Sequence, residues 1–256
     1  MRWRAVAVAA VAVAALCSSC GSSAPASSSP SALSGTITVF AASSLTAAYT
    51  TIGKDFERTY PGSMVKLSFG GSSTLVAQIQ QGAIGDVFAS ADQPNMQKLV
   101  DAALVAGSPT IFAHNRLEIV VAAGNPKHIA GLSDLARSGL LVVLCAPVVP
   151  CGHYAAQALQ KSGVILKPAS QETDVKYVVS KVALGEADAG VVYVTDVKAA
   201  GAAVQGVEIP LEQNVVADYP VVVLKDSQNG PLAKAFISYL LGGGQRTLAR
   251  NGFTGP

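Results

Sequence analysis

Short apolar runs alternate with amphipathic stretches along almost the whole chain. Runs at 36–40, 64–69 and 86–90 read as strands, and the apolar spacing between them predicts helices over 45–59, 74–81 and 93–102. That alternation predicts a parallel, doubly wound sheet. A longer apolar run at 116–123 ends at Gly124-Asn125-Pro126 and leaves this first unit. A second unit follows, with a short helix at 133–137, a strand at 140–145, helices at 153–162 and 174–184, and strands at 190–194 and 204–209. A second extended crossing at 221–224 and a helix at 231–241 complete the pattern. The expected fold is α/β with two lobes and two crossings: lobe one over 35–115, lobe two over 116–217, and a return to lobe one over 218–256. One continuous α/β domain fits the same pattern.

The first 34 residues follow other rules. Arg2 and Arg4 precede an apolar stretch at 5–16, and Cys17-Ser18-Ser19-Cys20-Gly21 follows it. A basic start, a short apolar core and a small-residue cleavage site make an export signal. The core falls short of the roughly 20 residues that span a bilayer. Small residues before a cysteine, with Gly and Ser after it, resemble a bacterial lipobox. Residues 1–19 would then be removed and Cys20 lipidated, placing the protein on the extracytoplasmic face of the cell membrane. Cys17 fits less well because Leu16 precedes it, and ordinary secretory cleavage is the alternative. Residues 20–34, rich in Ser, Ala and Pro, read as a flexible tether.

Loss of the signal removes both early arginines. Of 18 Lys and Arg, 16 remain against 16 Asp and Glu, so the mature chain carries no net charge. With no basic stripe or charge run, nucleic acid is excluded as an expected partner. Half of the residues are hydrophobic and 13% are charged, which suits a compact core. About 220 residues suffice for one large domain or two small lobes.

Two segments share one plan: apolar strand, small hydroxylated residues, helix. The first runs Ile37-Thr38-Val39-Phe40-Ala41-Ala42-Ser43-Ser44-Leu45, the second Leu67-Ser68-Phe69-Gly70-Gly71-Ser72-Ser73-Thr74-Leu75. Such serines place hydroxyls beside the unpaired N–H groups of a first helical turn, where the helix dipole also favours an anion. Neither turn contains Lys or Arg, so the donors are neutral dipoles. A small oxyanion fits such a site. Ser44 and Ser72 also fit plain helix caps, and Tyr193, at the end of an apolar run, fits a core position. Asp86 and Asp92 fit turns better than ligand contacts, because a carboxylate aimed at an oxyanion would repel it.

Six segments occur in an order that carries a resemblance. They are Phe40-Ala41-Ala42-Ser43-Ser44-Leu45, Ser72-Ser73-Thr74-Leu75, Asp86-Val87-Phe88-Ala89-Ser90-Ala91-Asp92, Pro150-Cys151-Gly152-His153-Tyr154-Ala155, Gly190-Val191-Val192-Tyr193 and Asn251-Gly252-Phe253-Thr254. Together they resemble the molybdate-binding proteins of bacterial ABC importers, over nearly the whole chain after the tether. The resemblance implies a two-lobed periplasmic-binding-protein-like fold that holds molybdate or tungstate between its lobes. It implies hydroxyl donors at Ser44, Ser72 and Tyr193 and backbone N–H donors at Cys151 and Val175. No resident cofactor or direct cation site is implied. The implied partners are the permease and ATPase of an importer, met by a monomer. Cys151 departs from the family, which usually has alanine there; a backbone donor tolerates that change.

Other readings stay open. Sulfate or another oxyanion fits the same donors, whereas phosphate near neutral pH keeps a proton that wants an acceptor. Cys145, Cys151 and His153 fit a disulfide across 146–150, two free thiols, or a zinc site short of its fourth ligand. A lipoprotein hydrolase is the alternative of another class. Its basis is thin: Ser63-Met64-Val65-Lys66 matches a Ser-x-x-Lys pattern but falls in an expected strand, and His114, His128 and His153 have no evident serine partner.

Overall fold

The computed structural model describes residues 33–256, so the expected signal, the lipidation site at Cys20 and all but the end of the tether lie outside the described residues. β1 (Gly35–Ala42) passes through a 3-10 turn at Ser43–Leu45 into α1 (Thr46–Thr59). β2 (Ser63–Gly70), α2 (Ser72–Gln80), β3 (Val87–Ala89) and α3 (Gln93–Asp101) follow. β1 pairs in parallel with both β2 and β3, as strand–helix–strand connections allow. α1 forms because Ala48, Tyr49, Ile52 and Phe56 make one apolar stripe, and all four are buried. Tyr49 packs its ring 5.9 Å from Phe112 and 6.0 Å from Phe236, within the distances at which tilted aromatic pairs attract.

The chain then crosses in β4 (Thr110–Ala122), turns through a 3-10 segment at Leu132–Ala136, and builds β5 (Val142–Cys145), α4 (Pro150–Lys161), β6 (Ser170–Glu172), α5 (Val175–Ala183) and β7 (Ala189–Tyr193). α6 (Val194–Ala200), β8 (Val204–Glu208), β9 (Val216–Val223), α7 (Gly230–Leu241) and α8 (Gln245–Arg250) complete it. The strand order is β2-β1-β3-β9-β4-β7-β5-β6, with β8 also on β4.

The sheet is mixed rather than all parallel. β1, β2 and β3 are parallel in one half, and β5, β6 and β7 in the other. β9 is antiparallel to β3 and β4, and β4 is antiparallel to β7 and β8. The reason is topological: β4 carries the chain out of the first half and β9 brings it back, so the two run in opposite directions. β4 changes partner in mid-strand, pairing with β9 through Arg116 and with β7 from Leu117 onward. Residue 116 therefore falls inside a strand, as does residue 218 in β9.

Asp86 and Asp92 hold turns. Asp86 accepts the Thr38 N–H at 2.7 Å and the Ser227 hydroxyl at 2.7 Å, and Asp92 caps α3 through the Asn95 N–H at 3.0 Å. Ser63 and Lys66 lie in β2, away from any helix start. No described helix is long and apolar enough to cross a membrane.

Candidate functional site

Two strand ends from each half of the sheet converge on one cavity. From the first half, β1 delivers Ser44 in its 3-10 turn, and β2 delivers Ser72 at the start of α2. From the second, the β5–α4 connection delivers Cys151, and β7 ends at Tyr193. Val175 opens α5. Ser44, Ser72, Cys151, Val175 and Tyr193, far apart in sequence, all line this cavity, and all five are buried. Its volume of about 10 Å³ is room for one water-sized group, so the walls are drawn tightly together. A larger groove of about 450 Å³ adjoins it, shares Ser43 and Ser44, and runs between α1, α5 and α6. That groove lacks Ser72, Cys151 and Tyr193, and it is far too roomy to grip a tetrahedral ion.

The direction of each hydroxyl proton matters, because a fully deprotonated oxyanion can only accept. Asn115 is oriented by the Arg116 N–H on its side-chain oxygen at 2.9 Å, which points its amide toward Tyr219. The amide donates to the Tyr219 oxygen at 3.3 Å and to the Thr195 hydroxyl at 2.9 Å. Tyr219 lies 2.9 Å from Ser44 Oγ. Either hydroxyl can donate in that pair, and the arrangement in which Tyr219 donates leaves the Ser44 proton for the cavity. Ser72 Oγ accepts the Ala91 N–H at 3.1 Å, so its proton is likewise free. The Tyr193 hydroxyl is buried with no hydrogen-bond partner among the described residues. Because Tyr193 also lines the cavity, this hydroxyl is available to whatever occupies it.

Helix ends supply the rest. α2, α4 and α5 each begin at the cavity wall, and their first-turn N–H groups have no partner within the helix. Pro150 opens α4, where its missing N–H costs nothing, and leaves Cys151 and Gly152 as the first donors. No Lys or Arg lines this cavity. The arrangement can bind a small anion through neutral dipoles, whose hold strengthens as water is excluded.

Cys145 and Cys151 are joined by a disulfide, with Cα atoms 5.7 Å apart. The strand-to-helix turn brings them within ordinary bridging distance, and the bond consumes both thiols that the zinc reading needs. It ties the first turn of α4 to the end of β5, directly behind the Cys151 N–H. His153 instead pairs with Gln157 at 2.8 Å.

Sequence reasoning missed Asn115, Tyr219 and Asp196. The first two come from facing crossing strands 104 residues apart, and only the polar interruption of each apolar run hinted at them. Asp196 is buried, accepts the Tyr193 N–H at 3.1 Å, and has its carboxyl pushed up to about 7, mainly by burial. The Tyr193 N–H opposes that rise, the Asp174 charge adds to it and Lys176 lowers it. A carboxyl raised from 3.8 to about 7 binds more protons folded than unfolded between those values. Its contribution to stability is fully present below about pH 4 and lost as pH rises through about 7, at a slope of at most about 1.4 kcal/mol per pH unit. Thermal melts from pH 5 to 8 should therefore fall for the wild type, and Asp196→Asn should flatten that part of the profile while keeping an acceptor for the Tyr193 N–H. A variant that tracks the wild type at every pH would remove Asp196 from this role.

Residues 37–254 match the family described as bacterial extracellular solute-binding protein. A molybdate-binding protein, ModA, of Mycobacterium tuberculosis is 44% identical over 228 residues, covering 89% of this chain and 87% of that protein. Among solved structures, the periplasmic molybdate-binding protein of Azotobacter vinelandii superposes with a TM-score of 0.76 at 24% identity, covering 86% of this chain and 99% of that one. The sulfate-binding protein SubI of Mycobacterium tuberculosis also superposes at 0.76, with 23% identity, 85% of this chain and 86% of its own covered. The fold is thus shared by chains named for different oxyanions, and specificity has to come from the site.

Proposed function

This chain belongs to the bacterial extracellular solute-binding proteins, and we propose that it captures molybdate, and tungstate with it, for delivery to an ABC importer. The observation that carries this reading is the cavity in which three hydroxyls and the first turns of three helices converge with no cation among them. Ser44, Ser72 and Tyr193 would donate from side chains, Cys151 and Val175 from the backbone. Relatives named as molybdate binders at 44% identity favour molybdate over sulfate, which the shared fold leaves equal.

In this reading the sheet halves act as two lobes, divided where β4 changes partner and where β9 returns. The anion first meets one lobe, and closure brings the remaining donors to it. Cleavage before Cys20 and lipidation there would tether the protein at the extracytoplasmic face of the membrane, as a monomer presented to the permease and its ATPase. Molybdate should raise the thermal stability of the mature protein, by roughly 4 kcal/mol at about a thousand times the dissociation constant. A melting curve unmoved by molybdate would dismiss the proposal.

A further inference from the structure

We propose that the start of α5 is a closure clasp, in which Ser43 and Asp174 set affinity for the anion by holding the two sheet halves together without bonding to it. The proposal rests on the oxyanion reading above. Ser43 lines the cavity, yet its hydroxyl is committed to the Asp174 carboxylate across the two halves. The other Asp174 oxygen accepts the Lys176 N–H at 2.8 Å and caps α5. Both oxygens are therefore engaged, and Asp174 is not among the residues that line the cavity.

Two further contacts grip the same four residues. Gly71, beside Ser72, approaches Thr173 so closely that a Cβ there would lie 2.3 Å from the Thr173 carbonyl oxygen. Lys176 Nζ sits 6.0 Å from the centre of the Phe69 ring on β2. Residues 173–176 of one half are thus held by both serine turns of the other, at 43–44 and 71–72. Val175, in the middle of the grip, is the residue that opens α5 on the cavity wall. A clasp here fixes where that N–H stands.

The energetic role follows from population shift. If only the closed form holds the anion fully, the apparent dissociation constant equals the intrinsic one divided by the closed fraction. Loss of the clasp lowers that fraction and lets the anion leave sooner, while its first encounter with the open protein is unaffected.

The test is a double-mutant cycle read by molybdate calorimetry and by stopped-flow tyrosine emission. Ser43→Ala deletes the donor and keeps the carboxylate. Asp174→Ser keeps a good helix cap but is too short to reach Ser43. Ser43→Ala should weaken molybdate and tungstate by the same factor of about ten, nearly all of it as faster release. With Asp174→Ser already present, adding Ser43→Ala should change release by less than about twofold. Wild-type affinity and release in Ser43→Ala would overturn the clasp, and so would an undiminished loss on top of Asp174→Ser, since Ser43 would then touch the anion itself. Absence of oxyanion binding by the wild type is a separate result, and it would remove the oxyanion reading and the clasp together.

Discussion

Tyr193→Phe is expected to weaken molybdate by about ten- to a hundredfold while changing the melting temperature of the ligand-free protein little. The Tyr193 hydroxyl is buried on the cavity wall and bonds to no other described residue, so its removal breaks no contact within the fold. Burial also holds the phenol well above its ordinary pKa, so it is a neutral donor at any physiological pH. The same hydroxyl, bonded to a charged acceptor, contributes roughly 1.5–3 kcal/mol to binding. The ring stays in its contact with Tyr219, 5.9 Å between centroids, so the loss is confined to one oxygen. Melting curves and calorimetry on one preparation test both expectations. Lower stability together with unchanged affinity would make Tyr193 an ordinary core residue.

Ser72→Ala supplies the contrast. Here the hydroxyl accepts the buried Ala91 N–H, and its removal strands that group as well as the donor to the anion. Stability and affinity should both fall, whereas in Tyr193→Phe only affinity should fall.

The fold was legible wherever an apolar run was uninterrupted. β1, β2 and β5 lie within two residues of their expected spans, because their inward positions are filled by Ile, Val, Leu and Phe. The crossings were half legible. β4 begins at Thr110, but His114 and Asn115 break the apolar pattern, and only its second half was expected. β9 begins at Val216, yet Asp218 and Pro220 hid its start. β6, whose three residues are Ser-Gln-Glu, is a polar edge strand defined by backbone pairing with β5 and has no apolar signature. α6 follows Tyr193 without a breaker, so nothing marked where strand became helix.

Site residues were expected where a local motif pointed to them, as at the two serine turns. Their supports were not, because those are contacts between distant segments. Tyr219 reaches Ser44 across 175 residues, and Asp174 reaches Ser43 across 131. No spacing rule covers such pairs. The Cys145–Cys151 bond is intermediate: its short loop made it conceivable, and only the turn geometry decided it.

The central claim is that the cavity presents donors alone to a fully deprotonated oxyanion. One calorimetric panel tests it most directly: molybdate, tungstate, sulfate and phosphate titrated into the mature protein near neutral pH. Molybdate and tungstate should bind at one site with similar affinity, both well above sulfate. Phosphate should be weaker than molybdate by roughly ten- to a hundredfold or more, since its remaining proton would be buried without an acceptor. Equal binding of sulfate and molybdate would contradict the assignment of the ligand. Phosphate binding as tight as molybdate would contradict the donor-only site itself.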